Sequence, residues 1–152
     1  MLTDLDGSKL VNDTLGHAKG DHLLKQVAAR LKTAVRAGDT VARLGGDEFG
    51  ILLQDFSHKD DIATIASKIL DTFAEPFVID HQAFPVTLSA GIGLFPHDGT
   101  DGETLVKNPD SAMYRAKEQG GSTYVLCTTD LKATAAQRLF LERSLRRGLE
   151  RD

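Results

Sequence analysis

Asp4-Leu5-Asp6 and Asp47-Glu48 are the residues whose types and spacing best suit chemistry in this chain. Each group borders a short apolar run, so each belongs at the end of a strand. Asp4 and Asp6 stand two apart and share one face of an extended segment. Asp47 and Glu48 follow Gly45-Gly46 within Arg43-Leu44-Gly45-Gly46-Asp47-Glu48-Phe49. Glycine accepts the positive φ of a tight turn, so two strands are expected to meet there as a hairpin. If the two strands lie side by side, Asp4 faces Asp47. Carboxylates held so, with a backbone carbonyl, make an oxygen cage for magnesium. Magnesium there serves phosphoryl or nucleotidyl transfer, by activating a hydroxyl and neutralising phosphate charge. The same acids also suit an ordinary hairpin with solvated charges, and spacing alone leaves both readings open.

Asn12, His17 and Asp21 follow the first acidic group at short intervals. An amide and a carboxylate together suit a guanine edge, the carboxylate accepting from N1–H and the exocyclic amine. They are equally ordinary turn and N-cap residues. Lys9 and Lys117 suit phosphate as point charges, although most lysines are simply solvated. Arg36-Ala37-Gly38-Asp39 reads as a helix ending with a turn aspartate. The five histidines show no zinc spacing, and no Gly-x-Ser-x-Gly elbow supports a serine hydrolase.

These residues must be placed by the elements around them. Met1 to Leu5 reads as a strand, Ser8 to Asp13 as a helical turn ended by Gly16. Asp21 is expected to open a helix with Leu23, Leu24, Val27, Ala28, Leu31, Ala34 and Val35 at helical spacing, stopped at Gly38. A second amphipathic helix carries Ile62, Ile65, Ala66, Ile69, Leu70 and Phe73, with Pro76 as its stop. Phe77 to Ile79 and Phe84 to Ser89 read as strands around an Asp80-His81-Gln82 turn, the second continuing towards Phe95. A third helix is expected over Asp110 to Gln119, then a last strand from Tyr124 to Cys127. From Asp130 onward the pattern is helical and charged, a connector rather than core. Strands alternating with helices, plus a hairpin, predict an α/β (α+β) sandwich whose central sheet is mixed and mainly antiparallel.

Composition sets the limits. The chain has 152 residues and a net charge of −4, enough for one domain and no argument for nucleic acid as a partner. The single cysteine, Cys127, excludes an internal disulfide and fits a reducing, cytoplasmic setting. No apolar run approaches the ~20 residues that span a membrane, so no membrane contact is expected of this domain. Met1-Leu2-Thr3-Asp4 is no signal peptide, and it reads as the tail of a strand whose beginning is missing.

Arg43-Leu44-Gly45-Gly46-Asp47-Glu48-Phe49 resembles the signature of the GGDEF family, the diguanylate cyclase domain. Asp4 through His17 resembles its first-strand segment, Gly20 to Leu24 continues in register, and Val86 to Gly93 and Asp110 to Lys117 resemble its later blocks. The resemblance runs in order from about Met1 to Cys127, so residues 1–128 are expected to form the domain. It implies a fold similar to the adenylyl cyclase and polymerase palm. It implies condensation of two GTP into cyclic di-GMP with release of pyrophosphate. Asp4, Asp47 and the Leu5 carbonyl would hold Mg2+, or Mn2+. Asp47 or Glu48 would help deprotonate the 3′-hydroxyl, and Lys9 would stabilise phosphate charge. Asn12 and Asp21 would read guanine with His17 close by, Lys117 would meet phosphates, and Gly45-Gly46 would let backbone approach the nucleotide. Each domain would hold one GTP, so catalysis would need a homodimer. Arg36 and Asp39 would form an Arg-x-x-Asp site for inhibitory cyclic di-GMP, with Lys68 as a secondary basic position.

The sequence departs from the family pattern in four places. The N-terminal helix and the first half of the first strand are absent. Ser8 stands where phenylalanine is usual. Gly120-Gly121-Ser122 replaces Gly-Arg-Asn, so a phosphate-binding arginine is missing at Gly121, a loss of about 1.5–3 kcal/mol. Pro109 precedes Asp110, where a helix start would tolerate it. Residues 129–152 resemble the linker from GGDEF to EAL phosphodiesterase domains. The chain therefore reads as a cyclase module of a two-domain protein, or as a GTP-binding module that regulates an attached phosphodiesterase.

Overall fold

The computed structural model describes residues 1–127. The charged tail expected over 129–152 lies outside the described residues. Seven strands and four helices follow in the order β1 (Leu2–Asp6), α1 (Ser8–Leu15), α2 (His17–Ala34), β2 (Thr40–Gly45), β3 (Glu48–Leu52), α3 (Asp61–Asp71), β4 (Phe77–Ile79), β5 (Gln82–Phe84), β6 (Thr87–Ile92), α4 (Gly102–Glu118) and β7 (Tyr124–Leu126). The main sheet has the order β2-β3-β1-β6-β7, and only the β6–β7 pairing is parallel. The expected mixed, mainly antiparallel sheet is therefore present, with the acid-bearing β1 at its centre.

Register decides which side chains share a face. Asp4 pairs with Glu48 on one side and Ser89 on the other, while Leu5 pairs with Leu88. Thr3, Leu5, Phe49, Leu88 and Ala90 thus form one buried face. Leu23, Val27 and Leu31 of α2 and Ile69 of α3 join Leu5, Phe49 and Leu88 in one apolar cluster. The opposite face carries Asp4, Asp6, Ser89 and Gly91, and α4 lies against it. A Cβ on Gly91 would stand 1.8 Å from the Pro109 carbonyl oxygen, so only glycine admits α4 this close. One face is a hydrophobic core, and the other brings a helix down onto carboxylates.

Several expected boundaries move. α2 opens at His17, directly after Gly16, and not at Asp21. His17 and Asp21 therefore lie one helical turn apart on the same face. α2 ends at Ala34, ahead of Gly38, because Val35 turns extended and Arg36 to Asp39 close a turn of their own. α3 ends at Asp71, where Phe73 and Ala74 donate to Leu70 and Asp71 in a tight turn well before Pro76. The expected Phe84–Ser89 strand is two strands: β5 pairs only with β4, and β6 begins at Thr87 in the main sheet and stops at Ile92. Pro85, lacking an N–H, stands at the break. Asp80 and His81 alone make the β4–β5 turn, both at positive φ, and Gln82 belongs to β5.

α4 begins at Gly102, a full two turns before Asp110. The Asp101 side chain accepts from the Thr104 N–H at 2.8 Å and caps it. Pro109 is accordingly inside the helix, not at its start. Its ring is fully buried against β6, and a Cβ on Gly93 would come within 2.7 Å of it. The lost backbone donor is offset by close packing on two glycines.

Candidate active site

β1 delivers Asp4 and Asp6 side by side on the α4 face, and α4 delivers Lys117 to them. The Lys117 ammonium lies 3.5 Å from Asp4 Oδ2 and 3.4 Å from Asp6 Oδ1, and donates to the Leu5 carbonyl at 3.2 Å. Asp47 approaches from the β2–β3 turn, where the Leu5 N–H donates to the Asp47 carbonyl at 3.3 Å. Burial pushes the Asp4 carboxyl above the usual carboxylate range. Lys117 opposes this, and the neighbouring charges of Asp47 and Asp6 add to it. Asp4 and Asp47 are thus brought into one electrostatic neighbourhood.

Asp6 has a different job. Its carboxylate accepts from Thr87 Oγ1 at 3.0 Å, Ser89 Oγ at 2.8 Å and the Ser122 N–H at 3.0 Å, besides Lys117. Its lone pairs are spoken for, so it anchors the turn after α4 to β1. Gly121 rests directly on it at φ +72°, and a Cβ there would lie 3.0 Å from the Asp6 Cγ.

Asp4, the Leu5 carbonyl and Asp47 are hard oxygen donors, the kind Mg2+ or Mn2+ takes. Among the described residues no three acidic, histidine or cysteine side chains converge into a metal group. A cation here would draw on the carbonyl besides the two carboxylates, with water or phosphate oxygens completing its shell. The Lys117 ammonium brings positive charge to Asp4, Asp6 and the Leu5 carbonyl.

Beside Asp47 opens a cavity of about 170 Å³, lined by Asn12, His17, Asp21, Arg43, Gly46 and Asp47 among others. α1 supplies Asn12, the first two turns of α2 supply His17 and Asp21, and the hairpin closes the far wall. Gly20 makes the arrangement possible, since a Cβ there would lie 1.8 Å from Asn12 Oδ1. Gly45 and Gly46 border open space, with no atom within 4 Å of a Cβ at either. Glu48 is exposed opposite Asp4, and Lys9 is exposed on α1 outside the cavity lining.

Arg36, Asp39 and Lys68 come together elsewhere, around a second cavity of about 320 Å³ between the end of α2 and α3. Asp39 Oδ2 accepts from the Arg36 N–H at 3.0 Å, and Asp39 Oδ1 from the Gln54 N–H at 3.1 Å. Burial works to raise the Asp39 carboxyl, but these hydrogen bonds and the Arg36 guanidinium outweigh it and hold it below the usual range.

Ser8, Asp6, Gly20 and Arg43 carry parts of these sites that sequence reasoning did not assign. The unusual Ser8 was a visible signal. Asp6 was visible only as the partner of Asp4, because Thr87, Ser89 and Ser122 reach it from distant segments.

Carboxylates at the end of a central antiparallel strand, beside a cavity lined by Asn12, His17 and Asp21, mark one polar site on this α+β domain. The family model described as "Diguanylate cyclase, GGDEF domain" matches residues 1–123, and the chain belongs to this family. It is 44% identical over 151 residues to the bifunctional diguanylate cyclase/cyclic di-GMP phosphodiesterase MucR of Pseudomonas aeruginosa, covering 99% of this chain and 22% of that protein. It is 36% identical over 152 residues to the cyclic di-GMP phosphodiesterase NbdA of the same organism, covering 100% of this chain and 19% of that one. Among solved structures, an EAL/GGDEF domain protein from M. capsulatus matches with a TM-score of 0.77 at 46% identity, over 84% of this chain and 82% of that chain. The chain thus spans about a fifth of the length of these curated relatives.

No helix among the described residues is long and apolar enough to cross a membrane.

Proposed function

We propose that this domain condenses two GTP molecules into cyclic di-GMP and releases pyrophosphate. The observation that carries the reading is that Asp47, which lines the cavity with Asn12, His17 and Asp21, also lies within electrostatic reach of Asp4 and accepts the Leu5 N–H through its carbonyl. Asn12 and Asp21 hold the guanine edge, and His17 packs beside it. Asp4, Asp47 and the Leu5 carbonyl hold Mg2+ or Mn2+. The metal, when bound, supplies a Lewis acid that lowers the 3′-hydroxyl pKa and offsets phosphate charge. Glu48, exposed beside Asp4, takes the hydroxyl proton. The 3′-oxygen forms a bond to the α-phosphorus of the second nucleotide as pyrophosphate leaves. Lys117 moves from the acids to the phosphates, and Lys9 meets them from the start of α1. The bare backbone at Gly45-Gly46 lets the nucleotide approach.

The product is two-fold symmetric and one domain holds one GTP, so two copies act face to face. Arg36, Asp39 and Lys68 bind product and restrain the enzyme. Residues 129–152 lead towards an EAL phosphodiesterase domain in the full-length protein. Cyclic di-GMP formed from GTP and Mg2+ by that protein tests the reading, and the Asp47→Ala variant should form none.

A second reading has its own support. Gly121 takes the place of a phosphate-binding arginine, and one relative carries a phosphodiesterase name. The domain would then bind GTP and regulate an attached EAL domain without making product. GTP that changes the phosphodiesterase rate, with no synthesis, would favour it.

A further inference from the structure

Ser8 is a buried hydroxyl, 5% exposed, that no step above uses. It is the first residue of α1, and α1 has no side-chain cap, so the hydroxyl is not spent on its own helix. It donates instead to Asp47 Oδ2 at 2.5 Å, across 39 positions of sequence. Among the described residues this is the side-chain hydrogen bond that the Asp47 carboxylate makes. Asp47 itself sits on a turn beside Gly46, which borders open space and offers nothing to fix a rotamer. A carboxylate has two oxygens, so a donor on Oδ2 fixes the group while leaving Oδ1 open. Ser8 also lines the 170 Å³ cavity with Asn12 and Gly46. It therefore stands between the half of the site that suits a base and the half that suits a cation.

We propose that Ser8 is a positioning residue for Asp47, presetting its carboxylate for the divalent cation shared with Asp4 and the Leu5 carbonyl. The inference rests on the metal-site reading above. Groups that orient a metal ligand typically matter about 10–100-fold in metal affinity. A single hydroxyl on one of two carboxylate ligands belongs at the lower end of that range.

Mn2+ binding without nucleotide, followed by electron paramagnetic resonance alongside thermal melts, tests the assignment. Ser8→Ala should bind Mn2+ about tenfold more weakly with an unchanged melt, since alanine keeps the packing and removes only the donor. Ser8→Thr, which keeps the hydroxyl, should recover most of the affinity. Asp47→Asn should lose more than either. Wild-type affinity in Ser8→Ala, with loss in Asp47→Asn, overturns the role of Ser8 and leaves the metal site standing. Wild-type affinity in both variants overturns the metal site and the inference together. Because no turnover is read, an inactive cyclase that still binds Mn2+ in this pattern supports the Ser8 assignment while contradicting the proposed reaction.

Discussion

Asp4 and Asp39 are partly buried carboxyls whose pKa values move in opposite directions, and the two make opposite predictions. The Asp4 value is raised by burial and by Asp47 and Asp6, against the pull of Lys117. Its ionisation therefore costs stability at neutral pH, and that cost is relieved as pH falls through the raised folded value. Asp4→Asn should melt higher than wild type at pH 7 while losing Mn2+ binding. Asp39 is depressed in the folded protein, so its contribution is complete above 3.8 and is lost as pH falls through the folded value. Asp39→Asn should melt lower than wild type at pH 7, and the gap should close in acid. At Gly20 an added methyl meets Asn12 Oδ1, so Gly20→Ala should push Asn12 aside. Loss of one base contact, about 1 kcal/mol, should weaken GTP binding roughly fivefold by calorimetry with the fold intact. The acids Asp4, Asp47 and Glu48 were readable from type and spacing. The Asp6 anchor was not, because hydrogen bonds from Thr87, Ser89 and Ser122 depend on strand register, which sequence spacing does not report.

At the scale of elements, the sheet was legible and the ends of helices were not. The strands around Gly45-Gly46 and at Thr87 to Ile92 stood out as short apolar runs bounded by turn residues, and β3 alternates in burial while β6 is buried almost throughout. The expected helix start at Asp110 falls two turns late, because burial of Pro109 against Gly91 and Gly93 keeps it inside α4. α2 was judged to start late because Gly16 to Gly20 looks like a loop until Asn12 is seen filling the space above Gly20. The contact between α4 and β6 is what sets Lys117 over the acids. Gly91→Ala would drive a methyl into the backbone at Pro109 and Met113, and neither can give way as a flexible side chain would. It should destabilise the domain by about 1–3 kcal/mol or more in denaturant unfolding. It should also weaken metal binding, because α4, forced off β6, would carry Lys117 away from Asp4 on the neighbouring strand β1.

For the whole molecule, the proposed reaction needs two copies face to face, and the cavity at Arg36, Asp39 and Lys68 stands apart from the one at Asp47. The mixed, mainly antiparallel sheet and the family were legible from the sequence, because ordered blocks of motif survive even where single residues depart. The proposed product inhibition belongs to this scale. Arg36 lies on a cavity distinct from the one lined by Asn12 and Asp21, so Arg36→Ala should leave the initial rate unchanged and relieve the slowing as product accumulates. The most direct test of the central claim is the rate of cyclic di-GMP formation from GTP and Mg2+ by the full-length protein, measured across a range of protein concentrations. The account predicts product, a rate per molecule that rises with concentration as pairs form, and none from Asp47→Ala. GTP bound with Mg2+ but no cyclic di-GMP at any concentration would contradict it and leave the regulatory binding module in its place.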